Sequence, residues 1–143
     1  MAGSINRDPV GDHLLTPQNT AMVLIDYQPS QFAGVRSMDR DLLLENIVST
    51  VKTAKAFGLP IVHSTINVAT GRGQPTVPEL AQLLEDYPPI DRTTTNAWED
   101  AEFLAAVRAT GRRKLNVLQR DRAREQTVAD VIEIVLTERL LKA

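Results

Sequence analysis

An unbroken apolar run, Ala21-Met22-Val23-Leu24-Ile25, stops abruptly at Asp26. A run apolar on both sides is what a strand buried on both faces requires. Pro29, which has no backbone donor, prevents its extension. Asp26 is therefore expected at the carboxyl end of a central strand, the edge where open α/β sheets place their chemistry. A carboxylate there either serves a site or, as Asp commonly does at strand ends, organises the following turn. The second chemical stretch is His63-Ser64-Thr65, which closes another short apolar run. His beside Ser has the residue types of a base and a hydroxyl nucleophile. Adjacent strand residues point to opposite faces, so His63 is instead expected in a packing or loop role. A hydroxyl nucleophile at Ser64 or Thr65 near Asp26 is a weaker possibility. Gly71-Arg72-Gly73 lacks the spacing and the Lys-Ser/Thr of a phosphate loop. The chain has no cysteine, which excludes disulfides, thiolate metal sites and a cysteine nucleophile within it.

These residues need a scaffold, and the pattern supplies one. Residues 39–57 form the best helix, with Leu43, Ile47, Val51 and Ala54 at helical spacing and Leu44, Val48 and Phe57 widening the stripe. Asp39 and Asp41 suit its amino end, Lys52 and Lys55 its carboxyl end, and Gly58 its stop. A strand at 59–65 follows, so strand, helix and strand make a right-handed parallel crossover. Residues 66–77 read as a loop, 78–84 as a short helix, and Ile90-Asp91-Arg92 as a very short strand. Asn96 is placed to cap a helix at 99–110 with Phe103, Leu104 and Val107 inward and Gly111 as its stop. Trp98 is either a core or interface side chain or part of a ligand pocket. Residues 114–118 make a poor strand, because Asn116 would place an amide where a central strand wants an apolar group. Residues 127–142 carry an amphipathic stripe of Val128, Val131, Ile132, Val135, Leu136 and Leu140, read as a helix. The first nineteen residues read as an irregular arm anchored by Leu14 and Leu15, with His13 on the surface.

The 143 residues suggest a single domain, with an arm at 1–19, an α/β core at 20–118 and a terminal helix within 119–143. A hydrophobic share of 43%, a charged share of 24% and a net charge of −2 point to neither nucleic acid nor membrane as a partner. The basic cluster Arg112, Arg113, Lys114, Arg120, Arg122 and Arg124 lacks an aromatic platform and reads as a solvated face. No secretory leader is evident, so a cytoplasmic location is expected.

Three segments resemble the isochorismatase-like hydrolase superfamily, the cysteine hydrolases. They are TAMVLIDYQ from Thr20, AKAFGLPIVHST from Ala54, and IDRTTTNAWEDAEFLAAVRATGRRKL from Ile90. The resemblance covers roughly residues 10–115. It implies a three-layer αβα fold with a short, mostly parallel sheet, together with a small-molecule substrate, hydrolysis of an amide or related C–N or C–O bond, no cofactor or metal, and a homo-oligomer. In that chemistry a thiolate attacks a carbonyl, an Asp takes its proton and returns one to the leaving group, and a cation stabilises the charge. By position Asp26 matches the acid/base. Arg92 most nearly matches the cation, with Asp91 the competing alignment. Gln28, Ser64, Asn96 and Trp98 are the pocket candidates.

The resemblance then breaks. The family continues past Leu115 to a Thr-Glu-Val-Cys-like stretch whose backbone donors make the oxyanion hole. This chain reads Asn116-Val117-Leu118-Gln119-Arg120 instead, so the family's second half is expected to be missing or replaced. The resulting expectation is a hydrolase by descent, impaired for want of a nucleophile. The alternative is a non-catalytic interaction module using the terminal amphipathic helix and an exposed sheet edge.

Overall fold

The first strand sets the frame. β1 (Thr20–Ile25) is buried along its whole length. It lies between β2 (Ile61–Ile66) and β4 (Lys114–Gln119), pairing with both in parallel, with Met22 opposite Ile61 and Thr20 opposite Lys114. β3 (Ile90–Arg92) adds to the outer edge of β2 in parallel. β5 (Ile132–Val135) adds to β4 in the opposite sense. The sheet order is β3-β2-β1-β4-β5. This computed structural model describes residues 8–119 and 132–135.

The alternation of β1 divides the core in two. Met22 and Leu24 face one cluster, with Phe32 of α1 (Pro29–Ala33), Leu43, Ile47, Val51 and Ala54 of α2 (Arg40–Ala56) and Leu80 of α3 (Pro78–Leu83). Ala21, Val23 and Ile25 face the other, with Phe103 and Val107 of α4 (Ala101–Ala109). Helices thus cover both faces of a mostly parallel sheet, the three-layer αβα arrangement expected from the sequence. Each large apolar side chain fully buried there stabilises the fold by about 1.5–3 kcal/mol before entropy is counted.

The local signals act largely as read. Asp39 caps α2, its carboxylate accepting from the amides of Asp41 and Leu42, both at 3.0 Å. Gly58 and Gly111 end their helices at φ of 68° and 66°. Phe57 does not join the stripe; it is 63% exposed at the carboxyl cap. Asn96 caps a single 3-10 turn, Ala97–Glu99, while Asp100 caps α4 itself.

Three expectations require correction. The arm is not anchored by Leu14 and Leu15, which are 50% and 40% exposed. It is held by polar groups: the buried Lys114 ammonium donates to the carbonyls of Asp12 and Leu14 at 2.8 Å each, and Asn19 Nδ2 donates to the Leu14 carbonyl at 2.9 Å. Lys114 is therefore part of the interior and not of a solvated basic face. β4 itself forms where the sequence placed it, and Asn116 brings the expected cost, its Oδ1 buried without a partner among the described residues. Backbone pairing on both sides outweighs one unsatisfied amide oxygen.

The third correction concerns the terminal stripe. Residues 132–135 are strand, not helix. Ile132-Glu133-Ile134-Val135 is rich in β-branched residues, which favour extended backbone, and the edge of β4 offers it a pairing partner. The rest of the expected helix at 127–142, and Arg120, Arg122 and Arg124, lie outside the described residues. The sheet edge on which the interaction reading relied carries β5 at β4.

Candidate functional site

Strand β1 releases the chain into a sharp turn. The Asp26 amide still pairs with the sheet, donating to the Ser64 carbonyl at 3.1 Å, but the residue adopts a φ of 62°. The left-handed region is unusual for a residue with a Cβ, and Asp is among the few that tolerate it. The turn places Asp26 at the carboxyl edge of the sheet beside β2 and β3.

Arg92, the last residue of β3, is 1% exposed. Its planar fork is divided among three acceptors. Nη2 donates to Asp26 Oδ1, Nη1 to the Thr94 carbonyl, and Nε to Ser64 Oγ at 2.6 Å. The Ser64 hydroxyl in turn donates a hydrogen bond to the Ile90 carbonyl at 3.0 Å. The Asp26 side chain keeps 17% exposure, so the pair presents its carboxylate outward and buries its cation. Each nitrogen of the buried guanidinium thus has an acceptor, as it needs, since an unpaired charge in the interior costs several kcal/mol.

The register decides which of the two neighbours turns toward Asp26. Arg92 pairs with Ile66 and turns toward Asp26, whereas Asp91, one residue earlier, turns the other way. The Asp91 carboxylate gathers the start of the following loop. It accepts from Thr65 Oγ1 at 2.9 Å and from the amides of Val68 and Ala69 at 3.0 and 2.8 Å. Burial alone would raise its pKa, but the two amides, the Thr65 hydroxyl and the Arg92 charge together hold it below the usual carboxylate value.

Of the four pocket candidates, one joins the ion pair directly. Ser64 bonds Arg92. Gln28 lies two residues beyond Asp26, fully buried, and spends its amide on backbone. It accepts from the Ile66 amide at 3.0 Å and donates to the carbonyls of Ile66 and Gln74 at 3.0 and 2.7 Å, imitating a strand partner at the exit of β2. Asn96 is exposed and accepts from the Trp98 amide at 3.2 Å. Trp98 is half-buried, its ring edge-on to Phe103 with centroids 5.2 Å apart, so its packing belongs to the core.

His63 and Ser64 part company as the strand period demands. His63 Nδ1 donates to the Tyr87 carbonyl at 3.1 Å, and Nε2 meets the Thr76 hydroxyl at 2.6 Å. Burial lowers its pKa and so favours the neutral imidazole, an effect partly offset by the Tyr87 carbonyl. Ser64 receives a hydrogen bond from a cation and gives its own to a backbone carbonyl, so no base among the described residues activates it as a nucleophile. Thr65 donates to Asp91, whose lowered pKa makes it a poor base.

Sequence reasoning missed the residues that shape the loop after β2. Asn67 has a φ of 59°, and Gly73 packs so closely that a Cβ there would lie 2.3 Å from the Ile66 carbonyl oxygen. The Gly-containing loop was the only hint of either.

The isochorismatase domain profile matches residues 20–118. The chain belongs to the isochorismatase family. This isochorismatase-family chain is 35% identical over 102 residues to the probable hydrolase YcaC of Escherichia coli strain K12, covering 71% of the chain and 49% of that protein. Its fold superposes on the YcaC gene product of Escherichia coli, an octameric hydrolase of unknown specificity, with a TM-score of 0.66 and 34% identity. That match covers 71% of this chain and 50% of the other. YcaC from Pseudomonas aeruginosa, solved with hexane-2,5-diol and covalent acrylamide, gives the same TM-score of 0.66 at 30% identity, over 71% of this chain and 50% of that one. The chain thus spans about half the length of the relatives it matches.

Proposed function

We propose that the chain is an isochorismatase-family hydrolase by descent that keeps the binding edge for a small carbonyl compound but is impaired in hydrolysis. The observation that carries the reading is the Asp26–Arg92 pair at the carboxyl edge of the sheet in a chain of 143 residues without a thiol. Its substrate class is an amide or a related C–N or C–O bond. In the full reaction a thiolate adds to the carbonyl carbon, the carboxylate at Asp26 takes the thiol proton and returns it to the departing nitrogen or oxygen, and water then releases the acyl group. Arg92 would hold the carboxylate in place and offset charge beside it. Without the thiol the first bond cannot form, and the remaining groups orient and bind. The covalent acrylamide in the Pseudomonas aeruginosa relative supports an amide-sized occupant.

Release of ammonia from primary amides tests the reading. The expected result is no release above that of Asp26→Asn. Appreciable turnover that Asp26→Asn abolishes overturns the impairment.

A second reading, a homo-oligomeric interaction module, is favoured by the octameric state of the Escherichia coli relative and by Val10, Leu14 and Leu15, which the arm holds outward at 51%, 50% and 40% exposure. Light scattering over a hundredfold range of concentration tests it, and a monomer throughout would end it. A cytoplasmic location belongs to the same proposal.

A further inference from the structure

Asp26 and Asn67 are the residues other than glycine that adopt a positive φ among the described residues. They follow β1 and β2, adjacent parallel strands, and so flank one stretch of the carboxyl edge. Backbone held in this region is strained and gathers where side chains must be aimed for a task. At Asp26 the task is the ion pair with Arg92. At Asn67 the backbone is fixed as firmly. Its amide donates to the Arg92 carbonyl at 2.8 Å, and its carbonyl accepts from the Gly73 amide at 2.8 Å and from Thr70 Oγ1 at 3.0 Å. Asp91 clamps the next two amides.

The side chain is treated differently from its backbone. The carboxamides of Asn19, Gln28 and Asn96 are all engaged with backbone. That of Asn67, half-buried one residue past the Ile66–Arg92 pairing, bonds to none of the described residues. A carboxamide offers one acceptor and two donors. A primary amide or a neutral carbonyl compound complements that set.

We infer that Asn67 is a substrate-binding residue of the Asp26–Arg92 edge, taking the carboxamide or carbonyl of a small neutral ligand. The inference rests on the proposed function and names the group that would fix its ligand. The competing account is local: Asn tolerates the left-handed region better than most residues and sits there for that reason alone. Glycine separates the two, because it adopts this φ without strain and carries no amide.

Calorimetric titration of the full chain with benzamide, a primary amide, is the test, run on the wild type, Asn67→Gly, Asn67→Asp and Asp26→Asn. The expected result is binding by the wild type, weakened about tenfold by Asn67→Gly, the equivalent of one lost hydrogen-bonding contact. Asn67→Asp, which keeps the acceptor and loses the donors, also weakens it. Both variants keep a thermal midpoint at or above that of the wild type. Benzamide binding within twofold of wild type in Asn67→Gly, with binding lost in Asp26→Asn, overturns the role of Asn67 and leaves the site standing. A fall in the midpoint of both Asn67 variants overturns it in favour of a structural role. No binding by the wild type overturns this inference and the proposed binding edge together.

Discussion

Replacing Arg92 measures how much of the ion pair is architecture. Methionine has a similar reach and no charge. Arg92→Met removes the donors to Asp26, Ser64 and the Thr94 carbonyl at once. A bond with a charged partner is worth about 1.5–3 kcal/mol, and all three of these are made by the guanidinium. The Asp26 side chain retains 17% exposure, so water reclaims part of its solvation and the total falls short of the simple sum. The expected destabilisation is about 3–4 kcal/mol, a large part of the 5–15 kcal/mol available to a domain. Arg92→Lys keeps the charge but replaces the fork with a single nitrogen, and about 2 kcal/mol is expected. Urea denaturation at pH 7 reads both values, with the slope checked for constancy. In the Asp26→Asn background Arg92→Met should cost at least about 1 kcal/mol less, because the carboxylate it would strand is already gone. A cost below about 1 kcal/mol for Arg92→Met, or no coupling to Asp26, refutes the view that the pair is joined energetically as well as in space.

Gln28→Ala removes the hydrogen bonds to Ile66 and Gln74 and leaves buried backbone groups without partners, so a loss of about 3 kcal/mol is expected in the same denaturation assay. His63 has a pKa lowered from 6.5 by burial. Below 6.5 the unfolded chain therefore binds a proton that the folded chain refuses, so stability is fully present above that pH and falls as the pH drops toward the depressed value. Urea midpoints between pH 5 and 7.5 should show this slope, and His63→Gln should lack it. Lys114→Met frees the carbonyls of Asp12 and Leu14, so limited proteolysis should cut within residues 8–19 faster than in the wild type while β1 stays protected.

The central sheet and the position of Asp26 were legible because an apolar run that ends in a carboxylate has few other interpretations. Choosing between Asp91 and Arg92 needed the register. Both lie on a strand of three residues, and only the pairing of Ile66 with Arg92 shows which one turns toward β1. Gln28 was misread as facing a pocket because a polar residue after a catalytic-type Asp suggests a ligand, whereas its partners are carbonyls 38 and 46 residues away. Lys114 was misread for a related reason. Lysine is ordinarily solvated, and nothing local reveals acceptors about a hundred residues earlier in the chain. The stretch around residues 132–135 satisfied a helical spacing and a β-branched composition together, and the partner strand decided between them.

The Lys114 clamp also imposes an order on assembly. The arm is made long before its anchor, since Asp12 and Leu14 lie 102 and 100 residues ahead of the lysine that holds them. Strands β1 and β2 are separated by a short crossover and can meet early, but β4 must close a much longer loop, and that closure costs more entropy. Asn19 can hold the arm locally, but the lysine clamp closes only once β4 has joined. An early segment of the chain thus gains its lysine clamp late, and protection of residues 8–19 becomes a natural timer for completion of the sheet.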